Sequence, residues 1–507
     1  MTTNPALYQI NTRVWLRDWS ERSGGSASLD DFPDAELDRL QSQGFDWLYF
    51  LSVWQTGEAG RAISRSNEIW LAEFRASLPD LSEADISGSG FAITAYSLDS
   101  RMGNKASLAR LRERIHLRGM KLMLDFVPNH TAQDHPWVTE RPEFYLAGTE
   151  EQLARQPQNY KQFLTGSGPR ILAYGRDPYF DGWPDTLQLN YSNSSVQEAM
   201  IAELENIAAV CDGVRCDMAM LVLPEVFEKT WGTRMDPFWP GAIAAVRKQH
   251  PEFAFMAEVY WDLEWQLQQQ GFDYTYDKRL YDRLRQGPAR PVREHLLAEA
   301  DYQRHLARFL ENHDEPRASA AFLPEQQQAA AVITFTCPGL RFFHQGQLDG
   351  YRKRISVHLN RRPPEQPNEE IQAFYKRLLA SLKRPVVRAG QWHRLEVAAA
   401  WDGNWTWDCF VACLWQLGSD SCLMTAVNYS DHQSQCRVRL PLPQLSGKQI
   451  RLTDLFSSAS YRRDGDLLVG DGLFLDMPAW GYHLFTVEAE ADASTILPQQ
   501  LEGAGIG

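Results

Sequence analysis

Arg215 and Asp217 stand two residues apart inside the otherwise apolar run Gly213-Val214-Arg215-Cys216-Asp217-Met218-Ala219-Met220. In a β-strand that spacing puts both side chains on one face. There the fixed guanidinium cation keeps the carboxylate ionised and held in one direction. An ionised, positioned carboxylate is what a covalent glycosidase uses as its nucleophile. Glu258 is the lone carboxylate of Met256-Ala257-Glu258-Val259-Tyr260-Trp261, and burial among apolar neighbours disfavours its charged form and suits it to deliver a proton near neutral pH. Two further runs end in polar groups: Asp125-Phe126-Val127-Pro128-Asn129-His130, and Leu310-Glu311-Asn312-His313-Asp314-Glu315-Pro316-Arg317. Each of these four places taken singly also has a structural reading, as a loop fastener or a buried ion-pair partner. Acting together, they need an architecture that delivers four distant segments to one point.

The chain up to about residue 347 alternates short apolar or β-branched runs with amphipathic stretches, the pattern of βα units around a parallel sheet. Eight runs can be counted, at 7–16, 47–54, 121–128, 213–220, 253–261, 272–277, 307–313 and 339–347. Helices are expected between them at 34–43, 107–118 (Leu108, Leu111 and Ile115 on one face), 195–211 and 326–333, with 368–382 closing the ring. This predicts an α/β fold, a (β/α)8 TIM barrel over 1–386, whose strands all carry their functional groups at one end. Two connections, 55–89 and 131–193, are too long for simple turns and read as a lid and an inserted subdomain. Beyond Arg384-Pro385 short alternating strands at 405–415, 423–428, 437–442, 449–455 and 481–487 predict an antiparallel β-sandwich over 387–487, with no helix in it. Residues 488–507, acidic and rich in Ala, Gly and Gln, read as a flexible tail.

A net charge of −14 with no basic stripe excludes a nucleic-acid partner. No run of eighteen apolar residues marks a membrane span, and the N-terminus lacks a secretory signal, so a cytoplasmic location is expected. The seven cysteines are odd in number and show no CxxC spacing, which reads as reduced thiols in apolar surroundings. Of the seventeen tryptophans, core packing explains most, while stacking on the apolar faces of sugar rings would employ others. Oligomeric state is left open by the sequence.

The four blocks, Asp125 to His130, Gly213 to Asp217, Glu258 after its buried strand, and Asn312 to Asp314, resemble in order the signature regions of the α-amylase family of glycoside hydrolases and transglycosylases (glycoside hydrolase family 13). Leu187-Gln188-Leu189-Asn190 is similar to that family's weaker fifth block. The resemblance covers roughly residues 1–487, sandwich included. It implies Asp217 as nucleophile, Glu258 as general acid/base and Asp314 as the carboxylate that grips sugar hydroxyls. Arg215, His130 and His313 would complete a glucose subsite, with Asp125, Phe91, Arg317 and Tyr260 as further substrate-binding candidates.

The departures are informative. Where many exo-acting α-glucosidases of the family carry Gly-Tyr-Asp, this chain has Gly90-Phe91-Ala92, and where calcium-dependent members place a His four residues after the nucleophile, it has Leu221. No D-x-N-x-D-G loop is present either, so neither a metal nor another cofactor is expected. The partner is expected to be a small-molecule carbohydrate, and the activity retaining hydrolysis of a small intracellular α-glucoside. The segment Tyr8 to Trp15 looks similar to a bacterial branch associated with compatible-solute glucosides such as glucosylglycerol. A transglycosylase or sugar phosphorylase would use the same carboxylates, and a starch-acting amylase or a catalytically dead sugar-binding barrel are the other readings. Side chains at strand ends that could face the leaving group are Trp54, Arg176, Tyr260, Tyr276 and Lys278.

Overall fold

A computed structural model describes residues 4–490. Among these, eight parallel strands close into a barrel: β1 (Ala6–Asn11), β2 (Trp47–Leu51), β3 (Lys121–Phe126), β4 (Gly213–Cys216), β5 (Ala254–Ala257), β6 (Tyr274–Tyr276), β7 (Leu306–Arg308) and β8 (Leu340–His344). Each pairs with its sequence neighbours, and β8 returns to β1 through pairs such as Leu7 with Phe342. Strands covered on both faces need apolar residues at consecutive positions, and Leu122, Met123 and Leu124 of β3 are all buried. The surrounding helices bury one stripe each. Helix Lys105–His116, started by Asn104 accepting from the amides of Ala106 and Ser107, turns Leu108, Leu111 and Ile115 inward.

All eight strands were expected, and each ends sooner than its apolar run, four of them by four or five residues for a local reason. The run 7–16 breaks at Asn11, whose side chain accepts from the Val14 amide and starts helix Thr12–Ser23. The run 213–220 stops at Cys216 because Met218 takes the left-handed conformation, φ 41°. The run 253–261 gives strand only to Ala257, and the chain reverses at Trp261 and Asp262, both at φ 65°. Past β7, Asn312 accepts from the amides of Asp314 and Glu315 and folds the segment into a turn.

The two long connections carry their own structure. The first holds helices Glu58–Ser66 and Glu68–Ser77, flanked by a small antiparallel pair, Trp54–Thr56 with Ile93–Leu98. The second contains a hairpin, Tyr160–Thr165 with Gly168–Ala173, and pairs His130–Ala132 with Thr186–Gln188.

A first compact unit takes the chain up to Gln286 and Glu294–Lys383; a second takes Gly287–Arg293 and the chain from Arg384 onward. The second unit is antiparallel throughout, with a six-stranded sheet and a three-stranded sheet (Glu396–Ala398, Ser434–Arg439, Leu473–Met477). Leu414, Met424, Leu452 and Phe485 from the first sheet share one core with Cys436, Val438 and Leu475 from the other, which makes it a sandwich. Strands Gln391–Arg394 and Ser460–Asp464 escape the sequence reading because they are short, polar sheet edges. The helix-free expectation is corrected by a short helix, Gly465–Val469. Of the expected tail, residues 488 and 489 belong to the final strand, Tyr482–Ala489, and 491–507 lie outside the described residues. All seven cysteines are free, six of them buried. Among the described residues no helix is long and apolar enough to cross a membrane.

Candidate active site

The barrel register sets the site. Cys216 and Ala257 are partners across β4 and β5, so Asp217 and Glu258 each stand one residue past a strand end at the same level. The ladder continues through them: the Asp217 amide bonds Phe126 O at 2.8 Å and the Glu258 amide bonds Cys216 O at 3.0 Å. Both side chains are therefore carried by regular backbone, the most rigid mounting the fold offers.

Arg215 lies one layer below, fully buried. Its Nη1 donates to Asp217 Oδ1 at 2.6 Å, while Nη2 stands 2.7 Å from Glu258 Oε2 as a charge contact outside hydrogen-bond geometry. Asp314 is farther, its Oδ2 4.0 Å from Nη2. One planar cation thus spans the two strand-end acids. Its Nε donates to Tyr276 Oη at 3.3 Å, and the rings of Phe91 and Tyr276 lie 5.2 and 5.8 Å from the guanidinium carbon.

Glu258 receives the Met218 amide on Oε2 at 2.7 Å and the Tyr260 hydroxyl on Oε1 at 2.8 Å. Burial pushes its carboxyl up to about 8; Asp217 and Asp314 add to the rise and Arg215 opposes it. Asp217, by contrast, is tied at Oδ1 to a fixed cation, which leaves Oδ2 as its open oxygen. Asp125 is buried deeper in the barrel, bonded by Tyr49 Oη and by the Ser52 amide at 2.7 Å. Burial pushes it up to about 6 against the pull of Arg215. Its bonds are all internal, which makes it a support for Arg215's layer.

Asp314 differs from the other acids in being open, its side chain 42% exposed. Buried Asn312 aims it by binding the two following amides, and His313 Nε2 lies 3.1 Å from its Oδ2. Gln9 of β1 donates to His313 Nδ1 at 2.9 Å, so the ring proton sits on Nε2. Burial, helped by the Arg215 cation, holds His313 well below its ordinary value and hence neutral. His130 is buried and kept neutral for the same first reason; its ring reaches the Phe91 backbone and lies 5.4 Å from Trp183. Phe91 in turn packs against His313 with the rings tilted by 32° and their centroids 5.5 Å apart. Asp217, Glu258, Asp314, Arg215, His130, His313, Phe91, Tyr260 and Tyr276 therefore converge.

Other candidates do not. Arg317 is taken by Glu311 at 2.6 Å, His344 at 2.9 Å and Gln345 O at 2.7 Å, a buried cluster behind Asp314. Trp54 is core, its indole N–H on Asp125 O. Arg176 packs on Trp231, and Lys278 pairs with Asp282 and Glu315. Sequence reading missed Gln9, Tyr49, Ser52 and the Met218 amide. Gln9 had a signal, a polar residue amid Tyr8 and Ile10; a backbone amide has none. Among the described residues no group of three or more His, Cys, Asp or Glu is arranged to hold a metal ion, and Leu221 is buried in a short 3-10 turn.

A closed parallel barrel with a guanidinium-spanned pair of acids at the C-terminal ends of its strands is the kind of scaffold on which glycosidic bonds are cleaved. The sequence profile of the family described as "Alpha amylase, catalytic domain" matches residues 66–401, and the chain belongs to that family. It is 27% identical over 274 residues to alpha-amylase MalA of Haloarcula japonica, covering 52% of this chain and 37% of that protein. To alpha-amylase 3 of Dictyoglomus thermophilum it is 23% identical over 290 residues, covering 52% and 54%. The chain thus spans about half, or less, of the length of these curated relatives. In fold it is similar to a maltogenic alpha-amylase, AmyB of Thermotoga neapolitana, with a TM-score of 0.68 at 19% identity over 96% of this chain and 98% of that one.

Proposed function

We propose that this protein is a retaining glycosidase acting on a small α-glucoside, glucosylglycerol being the first candidate. The observation that carries the reading is Arg215 in contact at once with Asp217 and Glu258, which sets two acids within one guanidinium's reach while burial pushes one of them, Glu258, up to about 8. Glu258 in its protonated form gives its proton to the departing glycosidic oxygen as that oxygen's bond to the anomeric carbon breaks. Asp217 Oδ2 forms the new bond to the same carbon, giving a β-linked glycosyl-enzyme. Water then attacks the anomeric carbon, its proton passing to ionised Glu258 as the bond to Asp217 Oδ2 breaks and frees that carboxylate, and the α configuration returns. Such a double displacement needs carboxyls about 5 to 5.5 Å apart, a separation one shared cation favours. Asp314, exposed and aimed, would hold sugar hydroxyls, with neutral His130 and His313 beside it as donors. The small-substrate part rests on the two long connections, 55–89 and 131–193, which Phe91 and His130 flank in the chain.

Several relatives are named alpha-1,4-glucan:maltose-1-phosphate maltosyltransferase, among them one from Cereibacter sphaeroides at 26% identity over 238 residues. Those names favour glycosyl transfer as the second reading, with a sugar or phosphate taking the place of water. Purified protein assayed against glucosylglycerol, maltose, sucrose, trehalose and starch, with and without phosphate or sugar acceptors, separates the cases. Release of the α-anomer first is expected, with Asp217→Asn and Glu258→Gln each lowering turnover at least about 10³-fold on unactivated substrates. Activity on starch alone ends the small-substrate part; a first-formed β-anomer ends the mechanism.

A further inference from the structure

Both oxygens of Glu258 are occupied, and unequally. Oε2 faces a cation and an amide: Arg215 Nη2 and the Met218 N–H, each at 2.7 Å. Neither group can accept a proton in return. Oε1 meets only the Tyr260 hydroxyl, at 2.8 Å, and a hydroxyl can both donate and accept. The mobile proton of this acid therefore has one place to sit.

The backbone around both donors is forced. Met218 holds φ 41° and ψ 46°. Immediately after Tyr260, Trp261 and Asp262 both stand at φ 65°, closing a turn in which the Leu263 amide bonds Tyr260 O. Residues with side chains resist that region, and turns of this kind favour Asn and Gly at both places. An ion pair of Asp262 with Arg279 and an edge contact of Trp261 on Tyr179 at 5.0 Å hold the turn against that preference. Three strained residues flanking two donors to one carboxyl mark a built arrangement.

We propose that Tyr260 is a positioning residue for Glu258: its hydroxyl donates to Oε1 when Glu258 is ionised and yields when Oε1 carries the proton, so that proton delivery and recovery both pass through Oε1. The inference rests on Glu258 being the acid/base of the proposed reaction. In the first step the Oε1–H bond breaks and the proton moves to the leaving oxygen, after which the Tyr260 hydroxyl swings onto the new carboxylate. In the second, the attacking water's proton arrives at Oε1 and displaces that hydrogen bond. Burial beside Glu258 keeps the phenol itself far above its ordinary value, so Tyr260 stays protonated throughout. The other groups facing Glu258 are Arg215 and Asp217 from β4, Tyr276 from β6, and Asp314 beyond β7.

A donor to the ionised form favours that form, so its removal raises the acid's pKa. Tyr260→Phe keeps the ring and deletes the hydrogen bond. Its kcat/KM profile is expected to keep its shape while the alkaline limb moves up by about 0.5–1 pH unit, the equivalent of one ordinary hydrogen bond. With an aryl α-glucoside whose leaving group needs no proton, the bond-breaking step should change less than about threefold, while glycosyl-enzyme accumulates at lower pH because recovery of the base form is impaired. A variant that loses rate equally at every pH, or whose alkaline limb stays put or moves down, overturns the proposal. Glu258→Gln guards the reading beneath it: rescue of that variant by azide to an α-glucosyl azide keeps Glu258 as acid/base. A null result for Tyr260→Phe then counts against Tyr260 alone. Unimpaired turnover in Glu258→Gln would remove both.

Discussion

Glu258 is held at a cost to the fold, and the direction of that cost can be read from its surroundings. Burial raises its carboxyl in the folded state to about 8, whereas in the unfolded chain it titrates near about 4.3. Between those values the native state binds more protons than the unfolded one, so its contribution to stability is whole in acid and is lost as pH rises through the folded value. Asp125, raised to about 6 for the same first reason, adds a smaller loss at the lower end of that window. Replacing Glu258 by Gln removes the titration while leaving an acceptor for the Met218 amide and the Tyr260 hydroxyl. Glu258→Gln is therefore expected to melt with the wild type near pH 4 and several degrees above it near pH 8, a gain of about 1–2 kcal/mol. Melting curves across pH check this, and variant and wild type running parallel would mean that the acid is not buried in its charged form.

The turns that follow the strands decide which side chains reach the centre. Asn312 serves Asp314 in this way, its side-chain oxygen binding the amides of Asp314 and Glu315 at 2.9 Å each. Asn312→Ala strands both amides and frees Asp314; a loss of about 0.5–2 kcal/mol in stability is expected. A rise in KM exceeding any fall in kcat should accompany it, since Asp314 is assigned to binding. Asn312→Asp, which can still accept, should restore most of the stability. Steady-state kinetics with melting temperatures test the pair, and an Ala variant with wild-type KM would detach Asp314 from the substrate. Such turns are also where sequence reading stops. The barrel strands are legible because a strand buried on both faces must be apolar at every position, and the four acid-bearing blocks are legible because charge is conspicuous in such runs. Strand ends are not, because Met218, Trp261 and Asp262 adopt φ above zero against their own preference, under contacts made by the distant residues Glu258, Tyr179 and Arg279. Arg317 shows the converse: adjacent in sequence to the His-Asp pair, it is drawn by Glu311 and His344 into a different cluster.

Every side chain brought to the centre, from Gln9 to Asp314, comes from the first of the two compact units, while the sandwich has its own core and supplies none of them. The chemistry and the second unit's stability are thus separable measurements. Met424, fully buried between the sheets of the sandwich, tests this. Met424→Ala removes a side chain from a packed interior and leaves a void, which costs about 2–5 kcal/mol. Because a chain with two cores need not unfold in one step, the expected calorimetric outcome is a lowered or newly resolved transition for the sandwich. At 25 °C, below that transition, kcat/KM and both limbs of its pH profile should match the wild type, since Arg215 and its acids keep their partners. A shifted alkaline limb in Met424→Ala would show that the protonation of Glu258 depends on the second unit, and the site would then have to be described as a property of the whole chain.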